Sequence, residues 1–263
     1  MTFARRGLAK AYMIFDNHVH VGWFTDGYHT PKEVWNSAKA AGFDGMAVAS
    51  TSTCAELYKD VCREMRELKR LSGNRIYPLL WLTPRMMKVK YALPYMMHKG
   101  IRWQDVKFHF EAHPEWSRNF RLLSKSLDVA RKLNVPVLFH TGNEDCCHAS
   151  LFKRIIEENK DLTFVLAHGR SINETIDVLR CCNNSYVDTA FMPMSDIKLL
   201  VKSGLSERIL FGTDAPINRV FFKEMSTSDF IKDQVKTFQE ALGIDADRYL
   251  RRCIYCTTAN NEH

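Results

Sequence analysis

The chain alternates between short apolar runs that end in polar residues and longer stretches whose apolar residues recur at helical spacing. The apolar runs predict eight β-strands, at about residues 13–18, 45–50, 75–82, 103–109, 135–140, 163–168, 185–189 and 208–213. The intervening stretches predict helices at about 31–41, 54–72, 85–99, 116–133, 147–159, 172–182 and 194–204, followed by 229–242 and 246–257. Eight strand–helix alternations favour one α/β domain with a parallel sheet over residues 1–263.

Such a sheet closes in one of two ways, as an open doubly wound sheet or as a (β/α)8 TIM barrel. A doubly wound nucleotide-binding fold carries a glycine-rich turn after its first strand. Residues 18–24 read His-Val-His-Val-Gly-Trp-Phe, which is not a phosphate-binding loop, and no Walker A motif occurs. The pattern therefore favours a single-domain (β/α)8 TIM barrel.

Length and composition fit this prediction and exclude other classes. The chain has 263 residues, 46% of them hydrophobic, which is sufficient for the core of one barrel. No apolar run reaches the length of a membrane span, and the N-terminus lacks the apolar segment of a signal peptide. The eight cysteines include adjacent pairs, which do not resemble a disulfide framework. We therefore expect a cytoplasmic protein with reduced thiols and no membrane partner.

The net charge of +7 comes from basic residues that are dispersed among acidic ones. This distribution indicates general solubility, so we expect no nucleic-acid partner. A basic rim that attracts an anionic substrate is the alternative.

Polar residues at the ends of the predicted strands suggest a shared site, because barrel enzymes take their catalytic groups from the carboxyl ends of several strands. Five of the ten histidines lie at these ends, more than random scatter predicts. His18 and His20 are two residues apart, so on a strand they share one face. The polar strand-end residues are His18, His20, Lys107, His109, His140, His168 and Asp214.

The ordered motifs H-x-H, H-T-G, A-H-G and F-G-T-D-A-P resemble those of the amidohydrolase superfamily. The resemblance is closest to the amidohydrolase-2 branch, which includes aminocarboxymuconate-semialdehyde decarboxylase and related lactone hydrolases. It implies a (β/α)8 barrel that binds a divalent metal, commonly zinc, near the strand ends. By position, it implies His18, His20, His140 and Asp214 as the metal ligands, with His168 as a neighbouring acid/base residue.

The chemistry of these residue types agrees with that assignment. Imidazoles and a carboxylate suit zinc, and a catalytic site keeps one position open for water, whose pKa the metal lowers to about 7. Asp214 can orient or deprotonate that water. His168 can stabilise a developing oxyanion or protonate the leaving group.

Residues of the fourth predicted strand, 103–109, and of the loop after it indicate how many metal ions to expect. Binuclear members of the superfamily carry a bridging carboxylated lysine or a glutamate near this point, and Lys107 and Glu111 are the nearest candidates. The segment Val-Lys-Phe-His at residues 106–109 resembles that of mononuclear relatives. We therefore expect one Zn²⁺, with Lys107 and His109 lining the pocket. A purely structural role is the alternative for His109.

Two loop residues are candidates for substrate binding. Arg170 follows the A-H-G motif and can clamp a carboxylate, or it can cap the next helix. Trp23 follows the histidine pair and can form a wall of the pocket, or it can pack against the barrel. The segment 91–97, rich in Met and aromatic residues, allows a homodimer surface or simple helix packing.

Three catalytic functions fit this pattern, in descending order of preference. The first is a metal-dependent hydrolase that uses metal-activated water on a small carbonyl substrate, namely a lactone, ester or amide. The second is metal-dependent decarboxylation of an unsaturated or aromatic carboxylic acid. The third is a TatD-like nuclease, which shares H-x-H and the final Asp but favours a glutamate-bearing strand near mid-chain. A non-catalytic metal-binding protein is the remaining alternative.

Overall fold

A computed structural model of the chain describes residues 14–256. Residue 13 of the first predicted strand and residue 257 of the last predicted helix lie outside the described residues, as does the N-terminal segment for which we expect no signal peptide. Within residues 14–256 the strands are β1 (Phe15–Phe24), β2 (Gly27–His29), β3 (Gly45–Ser50), β4 (Ile76–Trp81), β5 (Asp105–Phe108), β6 (Val137–His140), β7 (Phe164–Ala167), β8 (Ser185–Asp188) and β9 (Ile209–Leu210).

The sheet closes into a barrel. Its strand order is β2-β1-β3-β4-β5-β6-β7-β8-β9, with β2 antiparallel to β1 and every other neighbouring pair parallel. Beyond β9 the chain returns to β1, where Asn17 N donates to Phe211 O over 2.9 Å and His20 N donates to Ala215 O over 2.7 Å. The predicted (β/α)8 TIM barrel is therefore confirmed.

Helices surround the barrel, and their ends follow local sequence signals. Thr30 and Glu33 form a capping box at the first helix, and Gly73 ends the second in the left-handed conformation. The helices are α1 (Pro31–Ala40), α2 (Tyr58–Ser72), α3 (Pro84–Lys88), α4 (Ala92–Met97), α5 (Glu115–Arg118), α6 (Phe120–Leu133), α7 (Ala149–Glu158), α8 (Ile172–Cys181), α9 (Met194–Lys202), α10 (Asn218–Phe221), α11 (Thr227–Leu242) and α12 (Ala246–Leu250). None of these helices is long and apolar enough to cross a membrane.

The strands are apolar on both faces because each face packs against a different core. On β3, Met46 and Val48 pack in the larger cluster with the helices, whereas Ala47 and Ala49 belong to a smaller cluster. That smaller cluster also contains Tyr255, a fully buried residue of the 3-10 turn Ile254–Cys256. The barrel interior is thus a packed core, and polar residues collect at the carboxyl ends of the strands.

Several predicted boundaries need correction. The first strand continues to Phe24 instead of ending at residue 18, and it forms a hairpin with β2 that the pattern did not predict. The helix predicted over 85–99 is divided into α3 and α4, since Val89 is extended. The helix predicted over 116–133 is divided at Asn119, which caps α6. The short helix α10 was not predicted at all.

Candidate metal centre

Strand β1 places two buried histidines side by side, with ring centroids 5.2 Å apart for His18 and His20. His20 Nδ1 lies 3.0 Å from the carbonyl oxygen of Ala49, and His18 Nδ1 lies 3.0 Å from Asp188 Oδ2. A carbonyl or an ionised carboxylate can only accept, so we infer from this hydrogen bonding that each Nδ1 carries the ring proton. Each Nε2 then presents a lone pair, which is the state that ligates a metal.

Asp214 brings a carboxylate to the same point. It follows β9 with a φ of 60°, and its backbone N donates to His18 O over 2.7 Å. Asp214 Oδ1 lies 3.2 Å from His18 Nε2 and 3.0 Å from His20 Nε2. Burial raises the pKa of Asp214, but the electrostatic interactions with His18, His20 and His168 outweigh it, so the pKa lies well below its usual range. The carboxylate is therefore ionised at neutral pH.

These residues form a donor set that fits a divalent metal. The ligand atoms of His18, His20 and Asp214 all lie within 4.8 Å of one another, and the three residues are buried. Two imidazole nitrogens and one carboxylate oxygen are ligands that zinc and other first-row divalent ions accept. The described residues can thus bind a metal at the carboxyl end of the barrel.

Asp188 at the end of β8 supports this donor set, although no strand-end motif pointed to it. Asp188 Oδ2 accepts from His18 Nδ1, and Oδ1 accepts from the backbone N atoms of His168, at 3.1 Å, and Ala190, at 3.0 Å. Burial raises the pKa of Asp188, but the charge and hydrogen bond of His18 outweigh it and lower the pKa from 3.8 to about 2. A carboxylate behind a metal-ligating histidine fixes its tautomer and orientation.

Lys107 points into the same centre from β5. Its Nζ lies 2.7 Å from His18 Nε2 and 2.9 Å from His20 Nε2, and it lies 4.9 Å from the centroid of the Trp81 ring. Burial, the largest cause, lowers the pKa of Lys107 from 10.5 to about 8. Ligation of a metal by the two histidines therefore requires Lys107 to release both imidazoles.

His168 and His140 form a second pair beside this centre. His168 Nδ1 lies 3.1 Å from Ala190 O, and His168 Nε2 lies 3.2 Å from His140 Nδ1. Burial lowers the pKa of His168 from 6.5 to about 3, so the ring is neutral. His140 Nε2 lies 3.3 Å from Glu111 Oε2, and its ligand atom falls in a group with Glu111 and Cys147 instead of the His18 group. The role of His140 as a fourth ligand stays a prediction.

The other predicted site residues are His109, Trp23 and Arg170. His109 is stacked between Trp81, at 4.9 Å, and His140, at 3.7 Å between ring centroids, and burial lowers its pKa well below the usual range. Trp23 is 51% exposed and contacts Tyr28 in the β1–β2 hairpin. Arg170 is exposed, and its backbone N donates to Thr141 Oγ1 over 3.3 Å.

The sequence-based prediction missed Asp188 and assigned Glu111 a different place in the site. Asp188 is the last residue of the short strand β8. An acidic residue at the end of a buried strand was the signal that could have identified it as a site residue. Glu111 was considered only as a bridging ligand, whereas it lies beside His140.

The comparisons with known proteins agree with this architecture. A family model described as TatD related DNase matches residues 15–256. The chain belongs to the TatD related DNase family. No curated protein matches it. A TatD-like nuclease is the third of the functions expected from the sequence, and this family match supports it.

Solved structures similar to this TatD-family chain are TIM-barrel enzymes. A probable 2-pyrone-4,6-dicarboxylic acid hydrolase from Acinetobacter baumannii has a TM-score of 0.62 at 11% identity, covering 93% of this chain and 98% of that one. A TatD-like protein from Archaeoglobus fulgidus has a TM-score of 0.57 at 17% identity, covering 90% and 100%. The 5-carboxyvanillate decarboxylase of Sphingomonas paucimobilis has a TM-score of 0.58 at 9% identity, covering 92% and 100%. At these identities the similarity shows the TIM-barrel fold alone, and the resemblance to the amidohydrolase-2 branch stays a prediction.

Proposed function

We propose that this chain is a metal-dependent hydrolase whose cofactor is one divalent ion, most simply Zn²⁺, and whose substrate is a small lactone, ester or amide. The observation that carries the proposal is the convergence of His18 Nε2, His20 Nε2 and Asp214 Oδ1, with both imidazole tautomers set by hydrogen bonds on the far side of the rings. When bound, a divalent ion supplies Lewis acidity, which makes water acidic near neutral pH and polarises a substrate oxygen.

Asp214 is the residue that takes the proton from water in this proposal. Its pKa is held well below the usual range, so the carboxylate is ionised at neutral pH and can accept a hydrogen bond or a proton from water. Oδ1 faces the two histidines, which leaves Oδ2 for the attacking water. Asp214 therefore orients the nucleophile and holds its proton at Oδ2.

His168 is the proposed acid/base partner, and its hydrogen bonds limit how it acts. Nδ1 faces Ala190 O and Nε2 faces His140 Nδ1, so both ring nitrogens already have partners. Because Ala190 O can only accept, Nδ1 carries the proton and Nε2 accepts from His140. Proton transfer between His168 and a substrate thus requires the bond to His140 to open first.

Lys107, Arg170 and Trp23 complete the proposed substrate site. Once Lys107 releases His18 and His20, its buried ammonium can stabilise negative charge on a substrate oxygen. Arg170 is exposed beside the loop that contains Glu111, where a guanidinium can bind a carboxylate. A small-molecule substrate and the absence of a nucleic-acid partner remain part of the proposal, and for segment 91–97 a homodimer surface and simple helix packing both stay open.

Family membership supports a second candidate function, hydrolysis of phosphodiester bonds in DNA. Phosphodiester hydrolysis commonly uses two metal ions about 3.5–4 Å apart, held by shared carboxylates. As a free amine Lys107 cannot bridge two metal ions, and its Nζ contacts both histidines. This lysine is the reason that the carbonyl substrate is ranked ahead of DNA.

The test compares substrates on one preparation. The protein is treated with a chelator, reloaded with one equivalent of Zn²⁺, and assayed in parallel on a panel of lactones and esters, on aromatic carboxylic acids and on a DNA oligonucleotide. The proposal predicts zinc-dependent ring opening or ester cleavage without release of carbon dioxide. Asp214→Asn abolishes it, whereas Asp229→Asn, at an exposed helix start, leaves it unchanged.

Other results identify the alternatives. Zinc-dependent release of carbon dioxide from an aromatic acid would support the decarboxylase, and cleavage of the oligonucleotide alone would support the nuclease. Activity that survives both chelation and Asp214→Asn would remove the mechanism.

A further inference from the structure

A pocket at the amino ends of β4 and β5 lies at the opposite end of the barrel from the candidate metal centre. Its walls are the last two turns of α2, the turn after that helix, the first residues of β4 and the segment between α4 and β5. Its volume is about 290 Å³, near the lower limit for ligand pockets, so it suits a small molecule. None of its lining residues belongs to the candidate metal centre.

Among the described residues, every charged side chain that lines this pocket is basic. Arg66 and Lys69 are three residues apart on α2 and therefore share one face of the helix, and Arg102 joins them from the segment before β5. Within residues 14–256 none of the three forms an ion pair, whereas Arg63, one turn earlier on α2, is paired with Asp60 at 2.8 Å. Like charges in one concave site repel one another, and a bound anion removes that repulsion.

Gln104 contributes a buried amide to the same pocket. The residue is 8% exposed, and its backbone N donates to Pro78 O over 2.8 Å. Within the described residues its side chain makes one hydrogen bond, from Nε2 to Arg102 O at 3.5 Å, which is the outer limit for such a bond. An amide offers two N–H donors and a carbonyl acceptor, so most of the hydrogen-bonding capacity of Gln104 is free for a ligand.

The elements that carry these polar groups are held in place without a ligand. Trp103, between Arg102 and Gln104, is 2% exposed, and its Nε1 donates to Met96 O over 3.1 Å. The cations of α2 extend from a helix of 15 residues. Groups on fixed elements lose less conformational freedom when a ligand binds, which favours affinity.

Apolar side chains complete the lining, among them Ile76 and Tyr77 at the start of β4. The Tyr77 ring packs edge-to-face on Phe15, with ring centroids 5.1 Å apart. A ligand that fits this pocket therefore combines negative charge with an apolar part.

We propose that the pocket binds a small phosphomonoester, with its phosphate on the three cations and its organic part against the first residues of β4. A phosphomonoester carries about two negative charges at neutral pH and three terminal oxygens, whereas a carboxylate has a single charge. Three unpaired cations therefore fit a phosphate better, and guanidinium groups match its oxygens in bidentate geometry. Because the pocket and the candidate metal centre share no residue, this binding is independent of the proposed hydrolase.

The experiment is equilibrium dialysis of the chelator-treated protein against phenyl phosphate, followed by the ultraviolet absorption of the ligand. Chelation prevents the phosphate from binding to a metal ion at the other end of the barrel. The wild type is expected to bind one equivalent saturably, and inorganic phosphate, which lacks the organic part, is expected to bind more weakly. Arg66→Ala and Arg102→Ala should each lower the affinity by about 10-fold or more, because charge-assisted hydrogen bonds are lost. The matched control is Arg180→Ala, which removes an exposed guanidinium from α8, outside the pocket, and leaves the affinity unchanged.

Four results overturn the proposal. They are absence of saturable binding by the wild type, unchanged affinity in both pocket variants, an equal loss in Arg180→Ala, and inorganic phosphate that binds as tightly as phenyl phosphate. Displacement of phenyl phosphate by a short DNA oligonucleotide at matched ionic strength also overturns it, because the ligand would then be a nucleic-acid backbone. If the variants do not fold, wild-type crystals soaked in phenyl phosphate decide: ligand density between Arg66 and Arg102 supports the site, and its absence rejects it.

Discussion

Replacement of Asp188 by Asn tests how the buried hydrogen bonds prepare His18 for a metal. Oδ1 of Asp188 is held by two backbone N–H donors, so the amide oxygen of Asn is expected to take that position. The amide nitrogen then faces His18 Nδ1 in place of Oδ2. Because that nitrogen donates, His18 must accept at Nδ1 and carry its proton on Nε2, the ligand atom.

The size of the effect follows from the electrostatics of the pair. The pKa of Asp188 is lowered from 3.8 to about 2 against the effect of its burial, which corresponds to about 2 kcal/mol in favour of the carboxylate. Metal binding to the variant must reverse the His18 tautomer and leave two donors facing each other, at a cost of about 1–3 kcal/mol. We therefore expect Zn²⁺ affinity to fall by about 10- to 100-fold, the usual effect of losing such a partner.

The assay is a competition titration of Zn²⁺ between the protein and a chromophoric chelator. The matched control is Asp105→Asn, which changes an equally buried carboxylate that accepts from Leu138 N and touches neither histidine. Its affinity is expected to match the wild type. Equal affinity for the Asp188 variant and the wild type, or an equal loss in both variants, would refute the role assigned to Asp188.

Two further predictions concern the metal-free protein. Lys107→Met should raise its free energy of unfolding by about 3 kcal/mol at pH 7, because the pKa lowered from 10.5 to about 8 measures the cost of a buried ammonium. Urea unfolding measures this, and a destabilised variant would contradict it. Stability should also fall as the pH drops from 6.5 towards 4, by up to about 2.7 kcal/mol per pH unit, since folding keeps His20 and His168 neutral at pKa values of about 4 and about 3 while both protonate in the unfolded chain. A flat profile over this range would show that the two rings titrate normally.

The sequence predicts most of the barrel because each parallel strand is buried on both faces and therefore forms a short apolar run bounded by polar residues. The run 45–50 coincides with β3. The extension of β1 to Phe24 was not predictable in this way, since it contains His20 and Gly22, whose φ of 107° resembles a loop. The division between α3 and α4 depends on the extended backbone of Val89, which the helical spacing does not reveal.

The sequence predicts those residues of the site that lie near the ends of strands, but it does not predict the contacts between them. His18, His20 and Asp214 converge because β1 and β9 meet where the barrel closes. The two histidines lie within β1, and Asp214 lies in the loop after β9. The contact of Lys107 with both imidazoles depends on how β5 faces β1 across the barrel, which no local pattern contains. The direction of His140 Nε2 towards Glu111 depends equally on tertiary packing.

Anomalous diffraction at the zinc absorption edge, from crystals of the zinc-loaded wild type, tests the central claim most directly. The account predicts a peak about 2.0–2.2 Å from His18 Nε2, His20 Nε2 and Asp214 Oδ1, with Lys107 Nζ moved away from both imidazoles. A loaded crystal with no peak at this centre, and with Lys107 still hydrogen-bonded to His18 and His20, would contradict it.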